Sequence, residues 1–592
     1  MCITRGRGVM ESSLVRALVC VCLAMQLFLV TPLQAAPLVD VVIAGVDDRI
    51  LDNVKAVLTI YKKRNQENLS EWRIRRMHED AIGEIKKALE PYGYYSPEVL
   101  TDLAKTGEKW QAEYTIIPGK PVTISAVSIQ IENIGEEVAE IEKVVAAFPL
   151  DRGMILEHDL YKEGKKNLLN QLSALGFIDA AYTKSEIRVT LADHDATIDL
   201  AIQLGPRYLF GETTFDQQLL APEFLVGFLN YQKGEIYSRK KLVELQRILY
   251  NTNYFGRVVV RGEVEKAEGL YIPITVKMED PEFFDRYTLG LGYATDEGIR
   301  GRIGWENRLI NQYGHNIAVE LKLAERETSL DFLYGIPVYD PRFDKLLLGA
   351  QYNDESWEDT DTRILQGSIT LQHKGRRFTY GGGFQLHDEK YEVGSTNDEK
   401  FLPVPFLLWS LVYADDPVET THGVFLSVKL KAASEAVFAD STFAQSLVSG
   451  KLITTPFDGV RLISRFSVGA TAVDSIEDLP PSFRFYAGGD KSVRGFSFRE
   501  LASRDSAGTL IGGKYLLFGS VELEKRIFEN WSVAAFVDTG KGVNDLSEDL
   551  GKGVGGGVRY RLPFGQIRLD VASAVSEEGD PLRIHFTVGG DL

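Results

Sequence analysis

Residues 287–294 read Tyr287-Thr288-Leu289-Gly290-Leu291-Gly292-Tyr293-Ala294, a period of two in which large apolar side chains alternate with small or polar ones. The alternation returns where Ile317, Val319, Leu321 and Leu323 interleave with Asn316, Ala318, Glu320 and Lys322. It recurs at Val424, Leu426, Val428 and Leu430 against Ser427, Lys429 and Lys431, and at Ile567, Leu569 and Val571 against Gln566, Arg568 and Asp570. Period two is the strand period, so the chain from Phe283 onward is predicted to be a long succession of strands. In a soluble sandwich the polar face would meet water; in a membrane barrel the apolar face meets lipid and the polar face lines a lumen. Three features favour the barrel. Aromatics such as Tyr287 and Tyr293 cap the apolar faces, like the girdles at bilayer interfaces. The alternation persists through Ile584, Phe586 and Val588, as closure of the first strand onto the last requires. The charge-poor run 401–414, with Pro403 and Pro405, is too short for a membrane helix and suits a strand.

Counting alternating segments predicts about sixteen antiparallel strands in 281–592, an even number as bacterial barrels prefer. The longest connection, 473–513, falls between the eleventh and twelfth strands, and a loop of that length is a functional candidate. The fold class is therefore mainly β, with the barrel at the C-terminal end.

Ahead of the barrel the chain repeats itself weakly. Leu89-Glu90-Pro91-Tyr92-Gly93-Tyr94, Leu172-Ser173-Ala174-Leu175-Gly176-Phe177 and Leu249-Tyr250-Asn251-Thr252-Asn253-Tyr254 share the form L-x-x-x-[G/N]-aromatic. Each reads as a helix end, with Gly or Asn in the left-handed position and the aromatic folded back onto a core. Helical patterns precede the marks (72–89, 156–172, 238–249), and alternating strands follow (113–117, 197–204, 271–278). A strand also opens each unit, so three α/β domains of order β-α-α-β-β are predicted at 37–120, 121–206 and 207–280. Residues 1–36 have the make-up of a secretory leader: Arg5, Arg7 and Arg16, an uncharged 17–30, then small residues ending in Ala35-Ala36. All three cysteines (Cys2, Cys20 and Cys22) lie in that leader, so no disulfide or cysteine chemistry is expected of the mature chain.

Composition narrows the function. The 592 residues carry 66 Lys plus Arg against 84 Asp plus Glu, a formal charge of -18, which argues against nucleic-acid binding. A mean hydropathy of -0.10 argues against a bundle of membrane helices. The eight histidines are scattered without metal-ligand spacing, and neither G-x-S-x-G nor H-E-x-x-H occurs. Residues 508–514 miss a phosphate loop, because Tyr515 stands where a magnesium-holding Ser or Thr belongs. No catalytic residue, cofactor or metal is expected, and the chain reads as a non-enzyme.

The long loop contains Val493-Arg494-Gly495-Phe496, followed by Phe536-Val537-Asp538-Thr539-Gly540. These resemble, in order and spacing, the VRG[F/Y] loop tip and F-x-D-x-G strand of the BamA/TamA superfamily of outer-membrane assembly proteins and two-partner secretion transporters. Gly555-Gly556-Gly557-Val558-Arg559 and Pro563-Phe564-Gly565-Gln566-Ile567-Arg568-Leu569-Asp570 resemble its closing strands, and the three repeats resemble POTRA domains. Three repeats on a chain of this length resemble the TamA-type branch, the outer-membrane subunit of the translocation and assembly module. The C-terminal Leu592 departs from the terminal Phe common in barrels. The resemblance implies an outer-membrane location in a Gram-negative bacterium, with the POTRA domains in the periplasm. It implies a TamB-like inner-membrane partner, and client outer-membrane β-barrel or autotransporter-type proteins inserted into the bilayer. A two-partner transporter is the alternative and would carry a plug helix before its first repeat, whereas 37–46 begins a strand almost at once; a passive porin-like channel is a third reading.

Two sets of residues are the candidate sites. Strand parity turns Phe536, Asp538, Glu522 and Glu524 toward the lumen, and a buried carboxylate calls for a guanidinium. Arg494 is expected to reach Asp538, with Glu522 sharing the charge and Phe496 packed against an inward apolar residue such as Phe536. The other set is a weak seam: Gly290 and Gly292 on the first strand, and Gly589 and Gly590 on the last, lack side chains to pack. Exposed strand edges there could template an incoming strand through backbone hydrogen bonds.

Overall fold

Gly93, Gly176 and Asn253 all have left-handed backbones, with φ of 86°, 96° and 59°. Each ends a helix and turns the chain into a strand. The computed structural model describes residues 39–589 except 67–68, 108, 134–137, 295–297, 417, 564, 578 and 580. The predicted leader and Gly590 lie outside the described residues.

The first domain runs β1 (Val39–Ala44), α1 (Asp48–Val57), α2 (Thr59–Lys63), α3 (Glu71–Leu89), β2 (Glu98–Thr106) and β3 (Lys109–Ile117). In α3, Ile74, Met77, Ala81, Ile85 and Ala88 are buried at spacings of three and four, one apolar stripe. They meet the alternate residues Trp110, Ala112, Tyr114 and Ile116 of β3 in one core. The second domain repeats the plan with β4 (Thr123–Glu132), α4 (Val138–Ala146), α5 (His158–Ala174), β5 (Ala181–Thr190) and β6 (Asp195–Gln203). The third has β7 (Leu209–Asp216), α6 (Pro222–Val226), α7 (Arg239–Asn251), β8 (Arg257–Gly262) and β9 (Tyr271–Glu279). In all three sheets the last strand lies between the first and the middle one. The chain falls into two compact units: 39–209 with 236–239, and 210–235 with 240–589.

Within the second unit, sixteen strands follow in strict sequence order, each antiparallel to the next. They are β10 (Asp285–Ala294), β11 (Gly298–Asn307), β12 (Asn316–Ala324), β13 (Glu327–Pro337), β14 (Asp344–Trp357), β15 (Thr360–Lys374), β16 (Phe378–Val393) and β17 (Thr396–Ala414). Then come β18 (Gly423–Ala433), β19 (Phe443–Phe457), β20 (Val460–Ala472), β21 (Tyr515–Arg526), β22 (Trp531–Val543), β23 (Gly551–Leu562), β24 (Gly565–Ala574) and β25 (Leu582–Gly589). Their faces invert the soluble pattern. Leu289, Leu291, Leu365 and Val537 are exposed, whereas Glu389, Glu524, Asp538 and Arg559 are buried. Apolar outside and polar inside is the membrane-barrel solution. Among the described residues no helix is long and apolar enough to cross a membrane.

The third domain sits at the end of the barrel where β10 begins. Ala221 N–H donates to Gln312 O at 2.9 Å, and the Tyr254 hydroxyl donates to Gly314 O at 2.9 Å, both on the turn between β11 and β12. The long loop between β20 and β21 starts at the opposite end and folds into the barrel. Phe483, Leu479 and Ile476 pack with Leu402, Val404 and Phe443 of the wall, and Leu510 and Ala502 pack with Trp357.

Candidate functional site

The loop can enter only because the wall makes room. Gly495 has φ of 99°, and a Cβ there would lie 3.0 Å from Ala574 N. On the facing strand β23, a Cβ at Gly553 would lie 1.9 Å from Arg494 O, far inside any real contact. The loop backbone therefore lies directly on β23, and Val493 and Phe496 bury beside Ala487 and Ala574.

Seated there, the Arg494 guanidinium is buried and fully engaged. Nε donates to Asp538 Oδ2 at 2.7 Å and Nη2 donates to Asp538 Oδ1 at 3.0 Å, a bidentate pair. Its own backbone N–H donates to Asp538 Oδ2 at 3.1 Å. Nη1 reaches Glu522 Oε2 at 2.7 Å and Asp570 Oδ2 at 3.3 Å. The guanidinium carbon stands 3.3 Å from the Phe536 ring centroid. Phe536 thus receives the guanidinium on its face. Phe496 instead packs in the cluster of Val493 and Ala574, because the left-handed Gly495 sends consecutive side chains apart.

Five members of this network escaped the sequence reading: Arg559, Asp570, His585, Asp490 and Arg465. Arg559 donates to Glu522 Oε1 at 2.8 Å and to Asp570 Oδ1 at 2.5 Å, joining β21, β23 and β24. His585 of β25 accepts the Gly495 N–H at Nε2, 3.0 Å away, and its Nδ1 bonds Asp490 of the loop. The available signal was parity: Arg559, Asp570 and His585 all alternate with outward apolar residues on their strands. Arg494 and Arg559, with Arg465 at 3.8 Å from Asp538, balance Asp538, Glu522 and Asp570. Low-dielectric surroundings make such a charge-balanced network rigid and any orphaned charge costly. Glu524, also turned inward, lies apart from it, 3.4 Å from Arg461 and within reach of Gln566.

The loop has two further anchors that sequence gave no hint of, since they join segments far apart in the chain. Ser482 N–H donates to Glu389 Oε1 at 3.2 Å, with His387 bonded to the same carboxylate at 2.9 Å. Near the other end Arg499 meets Glu355 at 3.1 Å and stacks over Trp357 at 4.2 Å.

The second set of predicted residues lies at the edges of the sheet. Fifteen neighbouring pairs are joined by ladders from β10 through to β25, and β10 and β25 approach within 8 Å, yet no ladder joins them among the described residues. Thr288, Gly290 and Leu291 on one side and Phe586 and Val588 on the other line a cavity of about 950 Å³. Gly290 lies in that cavity wall; Gly292 and Gly589 belong to β10 and β25 respectively. No group of His, Cys, Asp or Glu placed to hold a metal occurs among the described residues.

Comparison with known proteins agrees with this architecture. Residues 312–592 match the Omp85 superfamily domain, and residues 40–118 match the first POTRA domain of TamA. The outer membrane protein assembly factor BamA of Nitratidesulfovibrio vulgaris is 22% identical over 381 residues, 59% of this chain and 46% of that protein. The chain therefore spans less than half of that relative's length. The crystal structure of BamA from Haemophilus ducreyi lacking POTRA domains 1–3 superposes with a TM-score of 0.69 at 15% identity, covering 79% of this chain and 99% of that one. Three small α/β domains, the first with one helix more than the others, precede a sixteen-stranded barrel; residues 312–592 belong to the Omp85 superfamily, and the chain is similar to TamA-like members of the BamA/TamA superfamily of outer-membrane proteins.

Proposed function

We propose that the protein inserts β-barrel or autotransporter-type proteins into the outer membrane through the seam between β10 and β25. The observation that carries this reading is the missing ladder there. Two strand edges that no ladder joins among the described residues, held beside a cavity, are a template for a third strand. Weak pairing follows from the residues: Gly290 offers no cross-strand side chain to a neighbour. The buried loop lock keeps the rest of the wall stiff while the seam yields. Its ties reach β21, β22, β24 and β25. The first domain would hold a TamB-like inner-membrane partner in the periplasm.

The test is a cysteine pair engineered across β10 and β25. The native cysteines all lie within the first 22 residues, so cross-linking in the barrel has no competitor. Oxidation is expected to stop client assembly and reduction to restore it. Assembly at the normal rate through a locked seam would refute lateral insertion.

A further inference from the structure

Where the third domain meets the barrel mouth, a second cavity of about 420 Å³ opens, within the usual size range of ligand pockets. It is lined by Tyr254 at the end of α7 and by Arg286, Glu306, Arg308, Arg342 and Lys345 of the barrel. In a chain of formal charge -18 this is a local excess of cation. Arg342 is taken by Asp340 at 2.6 Å, and Arg286 is held loosely by Glu306 at 3.8 Å. Arg308 and Lys345 have no carboxylate within salt-bridge distance among the described residues; Lys345 Nζ reaches only Asn316 Oδ1, at 3.5 Å. Partly buried cations outnumbering the one carboxylate, Glu306, that lines a pocket of that size favour an anionic ligand.

The C-terminal end of α7 faces the same pocket, but its carbonyls do not supply the missing charge. Leu249 O accepts the Thr252 hydroxyl at 2.6 Å, and Tyr250 O accepts the Asn253 N–H at 3.2 Å. The parity that turns Tyr287 outward places Arg286 on the opposite, non-lipid face of β10, and the rest of the lining comes from the third domain and the strand ends and turns at the barrel mouth. A lipid headgroup would have to leave the bilayer to reach it, whereas a chain approaching the barrel from the side of the third domain passes it.

We infer that this junction pocket binds an acidic side chain of an extended polypeptide, through Arg308 and Lys345 with Arg286 in support. The natural ligand being an incoming client rests on the function proposed above; the binding itself does not, and it is measured without any assembly assay. The probe is a fluorescein-labelled hexapeptide of Asp and Glu, read by anisotropy on the full chain in neutral detergent, beside its Asn and Gln counterpart. The acidic peptide is expected to bind and the neutral one not. Arg308→Gln with Lys345→Gln should weaken binding by about tenfold or more, and Arg308→Lys with Lys345→Arg should retain it. Unchanged heat-modifiable gel mobility shows that the variants keep the barrel; if the double variant loses it, Lys345→Gln alone carries the measurement. Equal affinity of wild type and the Gln variants, or of acidic and neutral peptides, would overturn the site. Displacement of the peptide by phosphatidylglycerol, itself sensitive to the same variants, would assign the pocket to a lipid headgroup and overturn the polypeptide reading.

Discussion

Asp538 shows what a single buried carboxylate can hold: two guanidinium nitrogens and a backbone N–H of one loop residue. Removing either partner strands the other in a site that excludes water, at a cost of about 3 kcal/mol. Arg494→Ala and Asp538→Ala are each expected to loosen the loop, seen as protease cleavage within 473–514 and reduced assembly, with the double variant no worse than the worse single. Additive losses in that cycle would mean the two residues act separately. Gly553 gives an independent check from the wall side. Gly553→Val places atoms where the Arg494 carbonyl now lies, so it should expel the loop as fully as Arg494→Ala while leaving every charge in place. A Gly553→Val protein with a protease-resistant loop would show that the loop does not rest on β23.

At the scale of elements, strands, their parity and the helix-ending marks could be read from sequence because each is a local period. The pair of Arg494 with Asp538 was legible for a related reason: an inward carboxylate on a strand and an arginine on a loop able to bend at Gly488, Gly489 and Gly495. Arg559, Asp570 and His585 were readable as inward but not as partners, since which inward residues meet depends on register across the barrel. The joint between the first two domains is of that kind too. Val122 N–H donates to Gly93 O at 2.8 Å, and the Tyr95 hydroxyl sits 2.6 Å from His158 Nε2. Burial, helped by Lys162, lowers the His158 pKa below its usual value, while Glu90 and Asp159 oppose the shift weakly. The lowered value favours the neutral imidazole, which shares a hydrogen bond with the Tyr95 hydroxyl. A depressed folded value means the contribution is complete above the unfolded pKa, about 6.5, and fades as pH falls through it toward the lower folded value. Hydrogen exchange at Val122 in the full chain, corrected for its intrinsic rate, is expected to quicken on acidification from about pH 7.5 to about pH 5.5. His158→Gln should remove that pH dependence; its persistence would place the titration elsewhere.

For the whole molecule, the division between compact units is the informative boundary, and it does not follow the count of repeats. Residues 39–209 form one unit around the first two domains, whereas nearly all of the third domain belongs with the barrel. The sequence shows three like domains because all three share one local pattern. The short linker Glu279-Asp280-Pro281 limits how far the third can swing, but the anchors that hold it are not legible, since their acceptors are backbone groups: the carbonyls of Gln312 and Gly314 accept from Ala221 and from the Tyr254 hydroxyl. Backbone acceptors leave no trace in residue type. A Cβ at Gly314 would come within 2.5 Å of Phe224, so the turn is shaped to receive the domain. Removing 39–205 should therefore leave a barrel whose heat-modifiable mobility matches that of the full chain, with loss confined to partner binding. Removing 207–280 exposes Gly314 and the cations of the junction pocket together, and is expected to lower the temperature at which the barrel loses its folded mobility. Equal melting of the two deletions would mean that the third domain hangs from the barrel as loosely as a linker allows. A lower melting for the first deletion would place the stabilising contacts in the first two domains instead.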